Sequence, residues 1–271
     1  MNIKLIAIDI DGTLLNEDHV LANETIEAIS NARKRGVKVV LCTGRPLSGV
    51  KPYLDKLSIS GNDEYAITFN GAMAQDLDGN VISHHTLSYE GFLKTEMYSR
   101  MLGAHYQVET TDQIIATNQE LSPYTIGESY LVMLPIVFKT PEQITADTVI
   151  SKAMFVDYPE VIERVKQNIP DELKEELYVV QSEPYFIEMM NKNASKGNAL
   201  KDLAERLNLT AENVMALGDE GNDLTMIKYA GLGVAMGNGI DEVKNAASFI
   251  TKTNSENGVA YAINKYVNEV D

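Results

Sequence analysis

The chain opens on an apolar run, Ile3-Lys4-Leu5-Ile6-Ala7-Ile8, that stops at Asp9-Ile10-Asp11-Gly12-Thr13-Leu14. A short Ile-rich run bounded by polar and glycine residues predicts a buried strand with two carboxylates at its end. A helical pattern over 23–35 follows, with Asn23 placed to cap it and Gly36 to end it. A second apolar run, 37–41, ends in Cys42-Thr43-Gly44-Arg45-Pro46, where Pro46 suits the first turn of another helix. A third run, 65–69, ends in Asn70-Gly71. Strand, helix, strand, helix, strand with short links predicts a parallel sheet with right-handed crossovers. All three strands finish in polar or glycine residues, which is where open α/β sheets bind ligands.

The rhythm then changes. Asp78-Gly79-Asn80 predicts a hairpin turn between strands at 72–75 and 81–85. A helix is expected over 89–102, stopped by Gly103, then strands at 105–110 and 113–117 joined by Thr111-Asp112. Further β-type runs at 149–156, 177–181 and 185–190, with a helix at 160–168, complete an α+β insert built on an antiparallel sheet. From Ser195 the first rhythm returns: a helix over 196–207, a strand at 214–217 ending in Gly218-Asp219-Glu220-Gly221-Asn222-Asp223, and strands at 232–235 and 249–250 separated by helices. The expected organisation is a core of 1–83 and 191–271 interrupted by an insert of 84–190.

Composition narrows the class. A hydrophobic content of 44% with no long polar tract predicts a globular chain, and 271 residues can bury one large core or two smaller ones. A formal net charge of −16 would be repelled by nucleic acid and anionic lipid, so neither is expected as a main partner. A small anionic ligand would need a locally positive pocket or a bound cation. The lone Cys42 cannot form an internal disulfide and lies in an apolar run, so core packing and a reducing, cytoplasmic compartment are expected. The first apolar run has no basic leader or cleavage site, and no stretch nears the ~20 apolar residues of a membrane span.

Each polar cluster has a plain structural reading. Asp-x-Asp-Gly is often only a turn. A calcium loop counted from Asp9 would need glycine and glutamate where Leu14 and Val20 stand. Thr43-Gly44-Arg45 reads equally as a turn, Lys196 as a solvated helix residue and Asp219 as a helix cap. Gly231-Leu232-Gly233 lacks the third glycine of a dinucleotide fingerprint. The histidines, His84 and His85 among them, show no metal spacing and read as hairpin surface; Tyr185 and Glu188 alternate with apolar neighbours as strand positions do. Together, however, the clusters form a chemical set. Buried carboxylates are costly unless a cation or donors compensate them. Phosphoryl transfer needs a metal, donors to the phosphate oxygens and an in-line nucleophile. Asp9 and Asp219 suit magnesium, Thr43 and Lys196 can donate to phosphate, and Asp11 is placed to move a proton.

Asp9-Ile10-Asp11-Gly12-Thr13, Thr43-Gly44-Arg45, Lys196-Gly197 and Gly218-Asp219-Glu220-Gly221-Asn222-Asp223 resemble, in order, the four motifs of the haloacid dehalogenase-like superfamily. The resemblance runs end to end and is strongest to its Cof-type sugar phosphatases (subfamily IIB), the YidA-like proteins among them; Asn70-Gly71 and Asn257-Gly258-Val259-Ala260 also look like that branch. It implies a Rossmann-like core with a C2-type cap between the second and third motifs. It implies a magnesium-dependent phosphatase for small phosphorylated metabolites, sugar phosphates first among them. In that reading Asp9 attacks phosphorus and Asp11 protonates the leaving group, then helps water hydrolyse the aspartyl phosphate. Magnesium is held by Asp9, Asp219 and the main-chain carbonyl of Asp11. Thr43, Gly44, Arg45, Asn70, Lys196 and Asn222 hold phosphate or substrate, and Asp223 orients Lys196 or the metal shell. A phosphomutase of the same superfamily is the alternative, and a phospho-aspartate switch a more distant one.

Overall fold

The computed structural model describes residues 2–269, which form two compact units. The first comprises the chain up to Gly44, Val50–Ser83 and the chain from Ser195 onward; the second comprises Arg45–Gly49 and His84–Ala194. The early chain contributes β1 (Leu5–Ile8), β2 (Lys38–Cys42), β3 (Tyr65–Thr68), β4 (Met73–Asp76) and β5 (Val81–His84). The insert contributes β6 (Tyr106–Glu109), β7 (Ile114–Ala116), β8 (Ile136–Phe138), β9 (Lys152–Val156), β10 (Leu177–Glu183) and β11 (Phe186–Asn191). The late chain adds β12 (Val214–Gly218), β13 (Leu232–Ala235) and β14 (Phe249–Ile250).

The sheet of the first unit runs β14-β13-β12-β1-β2-β3-β4-β5, parallel from β14 to β3, with β4 antiparallel to β3. From β1 the chain winds outward one way through β2 and β3, and from β12 the other way through β13 and β14. The order therefore reverses between β1 and β12, which pair with Ile8 opposite Leu217. Strands buried on both faces need continuous apolar runs, and β1 is fully buried throughout. Leu5, Ala7, Val40 and Cys42 pack against Leu200, Leu203 and Met226 on one face, so the lone thiol is a core residue.

Local signals explain most element ends. The helix α1 (Asn23–Lys34) starts one position earlier than expected: Ala22 takes the cap position and its carbonyl accepts from Thr25 and Ile26, so Asn23 is the first helical residue and caps nothing. Gly36, at φ +82°, closes the other end. In the β4–β5 hairpin, Asp76 Oδ1 accepts from the amides of Asp78 at 3.0 Å and Asn80 at 2.8 Å.

The sheet of the second unit runs β10-β11-β9-β6-β7-β8. One face is apolar: Tyr106, Val108, Phe155 and Met189 pack on Phe92, Ile162, Val165 and Leu173 from helices. Three expectations need correction here. The sheet is not wholly antiparallel, because β7 and β8 run parallel. The stretch between them forms a helix, Pro123–Val132, that the hydrophobic pattern misses: its Ile126 and Tyr130 are exposed while Thr125 and Glu128 are buried. The unit as a whole comprises His84–Ala194 and Arg45–Gly49, where Ser48 Oγ donates to the Val132 carbonyl at 2.7 Å. His84 is half-buried rather than on the hairpin surface, with Nε2 3.1 Å from Ser151 Oγ. No helix among the described residues is long and apolar enough to cross a membrane.

Candidate active site

The carboxyl ends of β1, β2, β3 and β12 in the first unit gather the predicted residues. Asp9 follows β1 directly; its amide donates to Leu217 O at 3.1 Å, tying it to the neighbouring strand. The chain then turns sharply, with Leu14 N donating to Asp9 O and Leu15 N to Ile10 O. Asp11 sits half-buried in this turn. Gly12 takes φ +79°, and a Cβ there would lie 2.2 Å from Asp219 Oδ2. Only glycine fits, both for its φ and for the space that Asp219 occupies.

Lys196 opens its helix with no exposed surface, and its Nζ lies 2.6 Å from Asp9 Oδ1 and 2.6 Å from Asp223 Oδ1. The other oxygen of Asp223 accepts from the amides of Asp219 at 2.9 Å and Glu220 at 3.1 Å. Both oxygens of Asp223 are thus committed to bracing. Asp219 Oδ1 accepts from Thr13 Oγ1 at 2.7 Å. Asp9, Asp219 and Asp223 each offer an oxygen, and these lie within 4.8 Å of one another. Lys196 is therefore not the solvated helix residue that its sequence position also allowed.

The electrostatics follow from burial. Desolvation, then the Asp223 charge, pushes the Asp9 carboxyl well above its usual range, against the pull of Lys196. Asp219 is raised to about 7 by burial and Asp223. Burial opposes charge on Lys196, yet Asp223 and Asp9 outweigh it and hold its pKa well above that of a free lysine. Three buried carboxylates around one ammonium leave a negative surplus. Oxygen donors this close, with that surplus, fit a hard divalent cation such as magnesium.

A second group surrounds Asn70, which is buried with a left-handed backbone at φ 54°. Its amide donates to the Thr43 carbonyl at 2.9 Å, and its Oδ1 accepts from Asn222 Nδ2 at 3.0 Å. A Cβ on Gly44 would come within 3.1 Å of the same side chain. Asn222 Oδ1 is buried without a hydrogen-bond partner among the described residues. Gly71, at φ +89°, lies so close to Ser195 and Lys196 that a Cβ would approach the Ser195 carbonyl to 2.1 Å. Nine of the ten predicted residues, Asp9, Asp11, Thr43, Gly44, Asn70, Lys196, Asp219, Asn222 and Asp223, thus belong to the first unit, whereas the buried Arg45 belongs to the second. Sequence reasoning missed Thr13 as the support of Asp219, although it stands in the first motif. It also missed Asn238, whose Nδ2 donates to the Gly12 carbonyl at 2.9 Å and which carries no local signal.

A parallel α/β sheet with a lysine-bridged carboxylate cluster where its strand order reverses is the arrangement of an α/β protein whose site lies at the carboxyl ends of its strands. The family model for haloacid dehalogenase-like hydrolases matches residues 6–263, and the chain belongs to that family. YxeH of Bacillus subtilis, provisionally named a phosphatase, is 43% identical over 97% of this chain and 98% of its own. YcsE of the same organism, a 5-amino-6-(5-phospho-D-ribitylamino)uracil phosphatase, is 34% identical over 98% of this chain and 97% of its own. The crystal structure of a haloacid dehalogenase-like hydrolase from Bacteroides thetaiotaomicron superposes with a TM-score of 0.84 at 31% identity, covering 97% of this chain and 99% of that one. The chain is a hydrolase, an enzyme of phosphoric monoesters as its relatives are named.

Proposed function

We propose that the chain is a magnesium-dependent phosphatase of small phosphorylated metabolites, sugar and polyol phosphates foremost, acting through a phosphorylated Asp9. The carrying observation is the buried ammonium of Lys196 held between Asp9 and Asp223 beside Asp219. An ammonium so placed is a ready donor to a phosphate oxygen, and the surplus carboxylate charge calls for a cation. YcsE, named a 5-amino-6-(5-phospho-D-ribitylamino)uracil phosphatase, supports the substrate class.

Asp9 and Asp219, with the main-chain carbonyl of Asp11, would hold magnesium. Bound there, the cation neutralises phosphate charge and favours the ionised form of Asp9. Lys196 holds one oxygen of Asp9 and leaves the other for attack on phosphorus. The phosphorus–oxygen bond to the leaving group breaks as Asp11 delivers its proton to the departing alkoxide. Asp11, now ionised, takes a proton from water, whose oxygen displaces Asp9 from phosphorus. Thr43, Gly44, Asn70, Lys196 and Asn222 are the proposed donors and walls for the phosphate, while the orphan Oδ1 of Asn222, an acceptor, calls for a donor such as a substrate hydroxyl or a water. Arg45 follows Gly44 in the chain and stays a candidate on that ground alone. The second unit is proposed as the cap, and the buried single cysteine supports a reducing, cytoplasmic setting.

Replacing the nucleophile tests this reading. Asp9→Asn should fold, bind phosphate esters and release no phosphate. A variant that kept more than about a tenth of wild-type kcat, a barrier increase under ~1.4 kcal/mol, would exclude Asp9 as the nucleophile.

A further inference from the structure

The turn that carries Asp11 is conformationally loose by its own chemistry. Asp11 (φ −82°, ψ 122°) and Gly12 (φ 79°, ψ −10°) both leave helical geometry. Glycine is required at position 12 by the space that Asp219 fills, and glycine is the residue that restrains a backbone least. An outside hold comes from two asparagines 226 and 239 positions further along the chain, in the same unit. Asn238 Nδ2 donates to the Gly12 carbonyl at 2.9 Å, and Asn254 Nδ2 donates to the Leu15 carbonyl at 2.8 Å. The two are joined to each other, since the Asn254 amide donates to Asn238 Oδ1 at 2.9 Å. Asn254 Oδ1 in turn accepts from the amide of Ser255 at 3.0 Å. Each side-chain amide therefore uses both its oxygen and its nitrogen, and one chain of bonds spans the turn from Gly12 to Leu15.

Core packing does not account for this pair, because Asn238 is exposed and Asn254 only half-buried. Their surroundings do. The segment that carries Asn238 also holds the loop of Asp219: Met236 N donates to the Gly218 carbonyl and Ile240 N to the Asp219 carbonyl, each at 3.0 Å. Gly239 lies so close that a Cβ there would stand 3.0 Å from the Asp219 carbonyl oxygen. Gly237 N donates to the Lys252 carbonyl at 3.0 Å, which ties the segment to the stretch leading to Asn254. Residues 236–240 thus set the turn of Asp11 against the loop of Asp219, the first through a side chain and the second through backbone. A peptide unit is planar, so fixing the Gly12 carbonyl fixes the amide plane of Thr13 as well. Thr13 Oγ1 then reaches Asp219 Oδ1 at 2.7 Å on one side, and Asp11 is held on the other.

We propose that Asn238 and Asn254 are positioning residues for Asp11, a clasp that holds the turn over 10–15 so that the Asp11 carboxyl keeps its place relative to Asp9 and the leaving group. The inference rests on the phosphatase reading for the reaction that the clasp serves. Neither asparagine has to touch the substrate, because both act through the backbone of the turn. Displacing a reacting group by about 1 Å through a change remote from the chemistry can cost on the order of 10²-fold in rate.

The test uses the full chain as wild type, Asn238→Asp, Asn238→Ala and Asn254→Ala. Asn238→Asp keeps the acceptor for Asn254 but loses the donor to Gly12, and Asn238→Ala loses both without adding charge. Asn254→Ala loses the bond to Leu15. None of these changes touches the core, so all three should fold. The first measurement is native-state hydrogen exchange at the amides of Leu14 and Leu15, which close the turn onto Asp9 and Ile10. Exchange there should quicken about ten-fold or more in each variant, while Ile6 and Ile8 of β1 stay as in wild type. The second is kcat/KM for ribitol 5-phosphate and for p-nitrophenyl phosphate, whose leaving group needs no proton. The ribitol ester should lose about ten-fold or more beyond any loss with the nitrophenyl ester. Unchanged exchange at Leu14 and Leu15 would overturn the clasp, and equal losses with the two esters would reduce it to a structural contact with no bearing on Asp11. Absence of phosphate release from either ester in wild type would instead refute the phosphatase reading, and hydrogen exchange alone would then decide whether the asparagines hold the turn.

Discussion

Replacing Lys196 by methionine isolates the interaction on which the first unit's site depends. The ammonium is fully buried, 2.6 Å from Asp9 and 2.6 Å from Asp223. At an effective dielectric constant of about 20, each attraction is worth roughly 6 kcal/mol before desolvation, which takes back several kcal/mol per ion. Truncating one partner also leaves carboxylates whose oxygens lie within 4.8 Å, and at the same dielectric two such charges repel by about 3.5 kcal/mol. Breaking a buried pair in this way typically costs ~3–5 kcal/mol. For a domain of this size that lowers Tm by roughly 6–20 °C. The measurement is thermal unfolding in EDTA at pH 7 for wild type, Lys196→Met and the double variant Lys196→Met/Asp223→Asn. The double variant removes one stranded charge and should recover at least ~1 kcal/mol of the loss. Phosphate release should be lost in both. A single variant destabilised by less than ~1 kcal/mol, or a double variant no better than the single, would refute the view that Lys196 neutralises this cluster.

Three further expectations follow from the same geometry. Asp11→Asn should slow single-turnover phosphorylation of Asp9 by 10²–10⁴-fold with sugar phosphates but less with p-nitrophenyl phosphate, whose leaving group needs no proton; equal losses would remove Asp11 from the acid role. Magnesium at a hundred-fold excess over Kd should stabilise the chain by about 2.7 kcal/mol, and Asp219→Ala should abolish that rise together with activity; a normal magnesium response in the variant would place the cation elsewhere. Glu109 is raised by burial, against Lys152, from an ordinary 4.5 to about 8, so the folded chain keeps a proton that the unfolded chain has released. Its contribution to stability is complete below pH 4.5 and is lost as pH rises through 8, with a slope approaching ~1.4 kcal/mol per pH unit. Glu109→Gln should remove that slope, and parallel stability curves for the two proteins between pH 5 and 8 would contradict the shift.

The sequence alone determined the parallel-sheet architecture and named nearly every residue of the first unit's candidate site. Buried parallel strands must be continuous apolar runs, so Asp9, Thr43, Asn70 and Asp219 announce themselves as the polar residues that end them. Gly12 and Gly71 were legible as turn residues, though not the reason that glycine is required, which lies in Asp219 and Ser195 pressing against them from distant parts of the chain. The helix Pro123–Val132 was not legible, because its apolar side chains face solvent and its buried ones are polar, the reverse of the pattern that reveals a surface helix. Pairing was decided by tertiary structure alone. Nothing local in Lys196 separates it from an exposed helix residue until β1 and β12 lie side by side and bring Asp9 and Asp223 to its ammonium. Likewise Glu109, Lys152 and Glu188 are ordinary alternating strand positions in sequence. Only the register of three strands puts them on one buried face, where charge without solvent has to find a partner.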